Sequence, residues 1–230
     1  MTVIPLKKLN KIIDVSLAEW LSPEGFVLEK GVLGGSSLCR WKGDTFTDIG
    51  CQVIRIGGEN RIVPSGMMGF LHIKKIYTHF MADSPEDAEE LNQRAVEFHV
   101  GYQQIKQDWH AYIPCQHEEE VENALATLKA FIFDDLYPML TALTSPEELL
   151  PLYQVLDENN PTRFNIPVFD GYSSALGVLI IARLHQPDLY PAFKKRYQTI
   201  IYPPDEPADK LTERADRLIA YLDQKELTPI

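Results

Sequence analysis

The chain has 230 residues, with 22 Lys and Arg against 33 Asp and Glu, and its formal net charge is −11. Hydrophobic residues make up 45% of it and charged residues 24%, which is ordinary for a globular chain and excludes collagen, coiled-coil rods and wholesale disorder. A chain this acidic is poorly suited to wrapping nucleic acid or to lying on an anionic membrane. We therefore expect a packed protein that has neither nucleic acid nor a membrane as its partner.

The acidity is concentrated in the middle of the chain. Residues 81–160 hold 17 acidic and 3 basic side chains, whereas the segments on either side are close to neutral. Seven of these carboxylates fall in the first turns of predicted helices, where exposed backbone N–H groups favour negative charge. The other ten indicate either well-solvated helices or a docking face for a basic partner. These ten are Asp83, Glu89, Glu90, Glu97, Asp108, Glu122, Asp134, Asp135, Asp157 and Glu158.

The cysteines and the N-terminus bear on the compartment. Cys39, Cys51 and Cys115 are odd in number and widely spaced, which argues against a disulfide framework and for a reducing environment. The first residues lack an unbroken apolar run followed by a small-residue cleavage site, so they do not read as a signal peptide. The longest apolar run, 175–182, is far shorter than the roughly 20 residues that span a bilayer. These features predict a cytoplasmic protein.

The N-terminal part of the chain predicts one helix followed by a hairpin. Apolar residues at three- and four-residue spacing predict an amphipathic helix over 4–21, which Pro23 and Gly25 end. Short β-prone runs then surround a turn at Gly43 and a second turn at Gly57-Gly58. These runs predict the first strands of an antiparallel sheet.

The remaining strand candidates lie between residues 69 and 113. Alternating or β-prone runs predict strands over 69–77, 96–102 and 109–113. Between the first two, Ser84 followed by a proline predicts the start of a short helix, because serine caps a helix and proline fits its first turn.

After Pro114 the apolar spacing becomes helical and stays so. A long apolar stripe predicts a helix over 121–143 that Pro138 kinks or divides. The sequence Ser145-Pro146-Glu147-Glu148 predicts a capped helix start, in which the last Glu returns to the backbone of the Ser. Three further helices are predicted over 174–184, 188–200 and 211–222.

Strands clustered first and helices clustered last predict an α+β fold rather than alternating strands and helices. We expect an antiparallel sheet of about five or six strands with the N-terminal helix packed on one face, followed by a C-terminal helical layer or lobe. Residues 1–116 would contain the helix and the sheet. Residues 117–230 would form the helical part, packed on the sheet as one continuous domain.

One close set of soft metal ligands stands out. It consists of His110, Cys115 and His117, with Glu118 beside them and His99 able to approach from a neighbouring strand. Imidazole and thiolate suit transition metals, but the spacing matches no zinc pattern. We therefore predict no metal site and no cofactor.

A nucleophilic site would need a cysteine or a serine beside a histidine. None of the candidates lies in a nucleophile elbow or in a recognisable protease context. Cys39 and Cys51 fall in predicted strands, where a free cysteine usually acts as a small buried apolar residue. The sequence therefore predicts no catalytic residue.

The order of these features resembles a known family. The residues that carry the resemblance are LAEWL (17–21), GFVLEKG (25–31), the hairpin SLCRWKGDTFTDIGCQVIRI (37–56), DWHAYI (108–113) and LYPMLTAL (136–143). They resemble a bacterial family of small α+β domains of unknown function, many of whose relatives lie beside toxin and contact-dependent growth inhibition loci and are interpreted as immunity proteins. The resemblance covers residues 6 to about 145, with a looser match over 174–197. The family brings no catalytic motif.

The resemblance implies a non-enzymatic immunity protein that binds one cognate toxin and blocks it. Toxins that cut nucleic acid tend to be basic, so an acidic inhibitor can mask their substrate face. The predicted contact residues are Glu89, Glu90, Glu122, Asp134 and Asp135. Two alternatives stay open, namely a small cytosolic enzyme with a cleft near His110, Cys115 and His117, and an assembly adaptor that uses an apolar patch on residues 171–222. The sequence predicts no oligomeric state.

Overall fold

The computed structural model describes residues 3–30, 36–86, 88, 98–108, 110–154, 172–201 and 210–227. An antiparallel sheet, an N-terminal helix and C-terminal helices confirm the predicted α+β fold. Residue contacts divide the chain into two compact units. Unit 1 comprises Met1–Met68 and His99–Ala142, and unit 2 comprises Gly69–Phe98 and Leu143–Ile230. Unit 1 thus includes residues 117–142, which the sequence division assigns to the helical part; the division itself and the single continuous domain stay predictions.

Unit 1 begins with helix α1 (Leu6–Leu21), whose apolar residues recur every three or four positions. Its buried face is formed by Leu9, Ile13, Leu17 and Leu21, which are at most 1% exposed. A short 3-10 turn (Ser22–Glu24) ends the helix, and Gly25 follows with φ = 83°, a conformation that favours glycine. The predicted helix and its end at Pro23 and Gly25 are confirmed.

The sheet has six strands among the described residues. They are β1 (Val27–Lys30), β2 (Ser36–Lys42), β3 (Thr45–Ile56), β4 (Glu59–Phe70), β5 (Phe98–Gly101) and β6 (Ile113–Pro114). The spatial order is β1-β2-β3-β4-β5, and β6 pairs with β4. The predicted turns are confirmed, since Gly43 joins β2 to β3 and Gly57-Gly58 joins β3 to β4, all with positive φ. Helix α1 packs against β2 and β3.

The predicted strand over 69–77 is wrong. Strand β4 ends at Phe70, and helix α2 (Leu71–Met81) follows directly. Ile73, Tyr77 and Met81 lie four residues apart and are buried, which is the period of a helix and not the alternation of a strand. The sequence also did not predict β4, because Pro64 and the glycines within it are typical strand breakers.

The later strand candidates are shorter than predicted. For the candidate over 96–102, strand β5 covers residues 98–101, residues 96 and 97 lie outside the described residues, and helix α3 (Tyr102–Ile105) begins at its end. For the candidate over 109–113, residue 109 lies outside the described residues and the strand observed is β6, because the Ala111 N–H bonds to the Asp108 carbonyl oxygen at 3.0 Å and closes a turn. The predicted helix start at Ser84 is confirmed by one hydrogen bond: the Ala88 N–H donates to the Ser84 carbonyl oxygen at 2.9 Å.

The long helix predicted over 121–143 has three parts. Helix α4 (Val121–Ala130) continues into a π-helical segment (Phe131–Leu136) and then into α5 (Tyr137–Ala142). In the π segment the Tyr137 N–H bonds to the Ile132 carbonyl oxygen, five residues earlier. Pro138 has no N–H and cannot continue the regular ladder. The break predicted at Pro138 is therefore a widened turn just before it.

Unit 2 is arranged around helix α7 (Tyr172–His185). The aliphatic and alanine side chains of residues 175–182 are at most 2% exposed, so this part of the helix is surrounded by other parts of the protein on all sides. The elements that contact it are α2, a 3-10 turn (Pro146–Leu149), α6 (Leu150–Gln154), α8 (Tyr190–Ile201) and α9 (Lys210–Leu222). The three predicted C-terminal helices are confirmed, with ends shifted by no more than two residues. No helix among the described residues could cross a membrane on grounds of length and apolar character.

Candidate functional site

Most of the described carboxylates in the acidic middle of the chain already have partners. Eleven of the 17 lie in the described residues. Seven of these accept a hydrogen bond or form an ion pair within their own unit, namely Asp83, Asp108, Glu118, Glu120, Asp135, Glu147 and Glu148. The described residues provide no such partner for Glu86, Glu119, Glu122 and Asp134, all of which are exposed. The charge available to a partner is therefore smaller here than the sequence count suggests.

The predicted contact residues have different outcomes. Glu89 and Glu90 lie outside the described residues. Glu122 lies in the first turn of α4, and Asp134 and Asp135 lie in the π segment, so all three belong to unit 1. Asp135 is engaged by Lys106, whose Nζ lies 2.7 Å from its Oδ2. Glu122 and Asp134 are thus the predicted residues that remain exposed and open to a partner.

Contacts just before the N-terminal end of α4 account for some of the negative charge there. The Glu120 carboxylate accepts the N–H groups of Gln116 at 2.6 Å and His117 at 3.0 Å, and these two bonds hold the pKa of Glu120 below its usual value. Glu118 pairs with Lys8 at 2.7 Å. Glu119 has no such role in the described structure. We define the acidic stretch as the exposed carboxylates Glu119, Glu122 and Asp134.

The sequence candidates for an enzymatic cleft are placed as follows. His110 lies in an exposed turn. Cys115 is fully buried, and its N–H donates to the Asn60 carbonyl oxygen at 3.2 Å. His117 precedes the 3-10 turn Glu118–Glu120 and pairs with Val3. In the part of the chain that the structure describes, no three His, Cys, Asp or Glu side chains are grouped so that they could hold a metal ion.

The thiols are in surroundings that favour the protonated form. Burial raises the pKa of the Cys115 thiol, and the nearby Glu120 carboxylate raises it further. Burial, followed by Asp14, likewise raises the pKa of Cys51. The buried Cys39 thiol donates to Asp48 Oδ2 at 3.1 Å. The predicted burial of Cys39 is confirmed, while Cys51 is half-buried. These surroundings do not activate a thiolate nucleophile.

Among the described residues, exposed apolar side chains occur mainly in unit 1. They include Val27, Leu28 and Trp41, with Trp41 49% exposed beside Phe46. Within the described side chains of residues 171–222, Leu184 is the large apolar residue that is exposed, at 37%. These residues therefore do not support the adaptor hypothesis, which requires an exposed apolar patch on the helical lobe.

No signal in the sequence links Lys106 to the predicted contact residues. Lys106 is one of the 3 basic residues in the acidic segment, but Asp135 lies 29 positions later. No periodicity relates positions that far apart, and their contact depends on how α3 meets the π segment. The available signal was the scarcity of cations in that segment, since a lone cation among many carboxylates tends to be paired.

Comparisons with protein-family models, with curated proteins and with solved structures found no match to this chain. The resemblance to immunity proteins therefore stays a prediction. The case for any function consequently depends on the residues and geometry of the chain itself, above all on the acidic stretch of unit 1.

Proposed function

We propose that this chain is a non-enzymatic, cytoplasmic immunity protein that neutralises a cognate basic toxin domain by binding it through the acidic stretch. The observation that supports the proposal best is the exposure of Glu119, Glu122 and Asp134 without an ion pair among the described residues. The resemblance in the N-terminal two thirds of the sequence supplies the class of partner. The three scattered cysteines support a reducing compartment.

Asp134 carries more weight than the other two carboxylates. Glu119 and Glu122 lie where the helix begins, and exposed N–H groups there stabilise negative charge by about 0.3 to 1 kcal/mol each. Asp134 lies well beyond the first turn, where this effect has faded, and the neighbouring Asp135 takes the contact with Lys106. Local structure therefore gives no reason for a carboxylate at position 134, whereas a basic partner would.

The arrangement suits rapid association. At a rise of about 1.5 Å per residue, Glu122 and Asp134 lie roughly 18 Å apart along the helical stretch. Carboxylates spread over such a distance present a broad negative field to an approaching basic surface. We therefore expect the acidic stretch to raise the association rate more than the final affinity, and to do so less at high salt.

The first test identifies the partner. The tagged chain is purified from its native host, and the product of the neighbouring gene is also produced alone and together with this chain. The proposal expects a basic protein in the purified complex and growth arrest by the neighbouring product that this chain relieves. If no protein partner is recovered and the neighbouring product is harmless, the proposal is wrong.

The second test addresses the surface. Association with the recovered partner is followed by stopped flow for Glu122→Lys/Asp134→Lys and for the matched control Glu19→Lys, which changes an exposed carboxylate of α1. We expect the double variant to associate about tenfold more slowly at low salt and to lose most of its salt dependence, with the control close to wild type. Unchanged association by the double variant would rule out the acidic stretch as the contact surface.

A further inference from the structure

We propose that Asp135, Tyr102 and Phe131 form a receptor for a lysine or arginine head group of the partner, and that Lys106 occupies this receptor in the free protein. The assignment of this head group to a toxin partner rests on the proposed function. The receptor itself can be tested without any partner.

The Lys106 ammonium group lies between a carboxylate and two aromatic rings. Its Nζ is 2.7 Å from Asp135 Oδ2, and it lies 5.9 Å from the Tyr102 ring centroid and 5.7 Å from that of Phe131. The two rings meet edge to face with centroids 4.8 Å apart. A carboxylate combined with aromatic faces is a chemistry that selects cations, because the charge and the ring quadrupoles attract the same group. We call Asp135, Tyr102 and Phe131 the cation cradle.

The cradle is open enough for its occupant to be exchanged. The Lys106 side chain is 41% exposed and that of Asp135 is 35% exposed, so an incoming group can reach the carboxylate from solvent. Exposed ion pairs of this kind are weak because water and salt screen them. Lys106 follows the four-residue helix α3 at its C-terminal end, and its long flexible side chain can turn away without unfolding an element.

Three other cation–ring contacts among the described residues of unit 1 differ from the cradle. Arg61 lies 4.3 Å from the Tyr112 ring centroid and 3.2 Å from Glu59 Oε2, but it meets a single ring, and the same carboxylate oxygen also accepts the Tyr112 hydroxyl at 2.7 Å. Arg40 lies over the rings of Phe26 and Tyr137, but it also donates to the Tyr137 hydroxyl and to the Glu24 carbonyl oxygen, and its Nε is buried. This anchored contact cannot be exchanged without disturbing the core. Lys129 lies 5.5 Å from the Trp20 ring centroid, and no carboxylate contact is seen for it among the described residues. Among these four contacts, the cradle is the one in which an exposed lysine meets both a carboxylate and two rings.

The position of Asp134 explains how the cradle would serve a partner. Asp134 is next to Asp135 in the π segment and is exposed. A partner cation that displaced Lys106 would gain Asp135 and the two rings while a second cation could meet Asp134. In the free protein Lys106 neutralises the Asp135 carboxylate. It thereby blocks the binding of simple cations and isolated amines to the cradle.

The receptor is tested by NMR titration with N-acetyl-lysine methylamide as the probe. Signals of Tyr102, Phe131 and Asp135 are followed in wild type, Lys106→Ala and Lys106→Ala/Asp135→Asn. N-acetyl-norleucine methylamide, which keeps the stem without the charge, is the control probe, and Lys129→Ala is the control variant that uncovers a ring without a carboxylate. If Lys106→Ala loses its signal dispersion through unfolding, Lys106→Gln replaces it as the uncharged variant.

We expect saturable shifts in Lys106→Ala and weaker binding of the probe to wild type, because the tethered Lys106 competes with the probe for the same carboxylate and rings. Asp135→Asn should abolish the binding, and the norleucine probe and Lys129→Ala should show none. Equal binding by wild type and Lys106→Ala, or binding that survives Asp135→Asn, overturns the inference. If a toxin partner is recovered but the probe does not bind, this inference alone is wrong. A cradle that binds the probe, with no recovered partner and a harmless neighbouring product, refutes the proposed function alone.

Discussion

Asn60 and Cys115 are joined by two hydrogen bonds that run in opposite directions. The Cys115 N–H donates to the Asn60 carbonyl oxygen at 3.2 Å, and Asn60 Nδ2 donates to the Cys115 carbonyl oxygen at 3.3 Å. Asn60 Nδ2 also donates to the Ile4 carbonyl oxygen at 3.0 Å, and the residue is fully buried. One side-chain amide thus holds the N-terminal segment, β4 and the segment after β6 together.

We expect Asn60→Asp to destabilise the protein by about 3 kcal/mol or more, because a carboxylate would face two carbonyl oxygens that have lost their donor. Asn60→Ala should cost less, about 1 to 3 kcal/mol. Urea unfolding followed by circular dichroism measures both. The matched control is Asn123→Asp on the exposed side of α4, which should change stability by no more than about 0.5 kcal/mol. Equal stability of Asn60→Asp and wild type would contradict the assignment.

Gly66 of β4 allows the C-terminal end of the long helix to approach the sheet. A Cβ at this position would lie 2.6 Å from Leu140 Cδ1 and 3.0 Å from Leu136 Cδ1. We expect Gly66→Ala to cost about 1 to 3 kcal/mol through overpacking. Leu140→Ala should relieve the clash, so the double variant should be more stable than the sum of the single effects by at least about 1 kcal/mol. Strict additivity in urea unfolding would contradict this contact.

Features whose causes are local in the chain could be predicted from the sequence, and features that depend on distant residues could not. Helix α1 and its end at Gly25 were predictable because their signals lie within one turn of the residues concerned. The same holds for the Ser145 helix start, where Glu148 Oε2 accepts the Ser145 N–H at 3.0 Å as the sequence predicts. Strand β4 was not predictable, since the reason for Gly66 is a helix that lies 70 or more residues later in the chain.

The candidate site shows the same division. The exposure of Glu122 and Asp134 follows from their positions between apolar residues of a helix, which the sequence displays directly. Lys74 of α2 is 1% exposed, although lysine is seldom buried in proteins. The contact of Asp135 with Lys106 depends on how α3 packs against the π segment, and no sequence pattern in either segment predicts that packing.

The reactivity of the cysteines tests the enzyme hypothesis. Burial and nearby carboxylates keep Cys51 and Cys115 protonated, and Cys39 is buried against Asp48. Because the thiolate is the reactive form, we expect all three thiols to react slowly with Ellman's reagent in the native protein and quickly in urea. Absorbance of the released thiol measures the difference. A thiol that reacts at once in the native protein would contradict the structure and favour a catalytic cysteine.

Stability should fall as the solution is acidified through the histidine range. Burial lowers the pKa of His99 below its ordinary value of 6.5. Below that value the unfolded chain binds a proton that the folded chain does not, so acid favours unfolding, by at most about 1.4 kcal/mol per pH unit for one histidine. Urea unfolding at several pH values measures the slope. His99→Gln should reduce the slope; an unchanged slope in His99→Gln would contradict the assignment.

Arg183 binds backbone carbonyl groups at and just after the C-terminal end of α9. From the last turn of α7 its Nε donates to the Leu222 carbonyl oxygen at 2.7 Å, and its Nη2 donates to the carbonyl oxygens of Gln224 at 2.5 Å and Lys225 at 3.2 Å. The last carbonyl groups of a helix have no partner within it, and a cation is favourable there.

We expect Arg183→Ala to cost about 2 kcal/mol in urea unfolding, because three carbonyl groups at the end of α9 lose a charged donor. Arg183→Lys should recover only part of this loss, since an ammonium group lacks the planar fork that reaches several carbonyls at once. Amide hydrogen exchange adds a local measurement, in which residues 219–224 should exchange faster in Arg183→Ala while α1 is unaffected. If exchange at the end of α9 stayed as slow as in wild type, the guanidinium group would not be what holds this helix end in place.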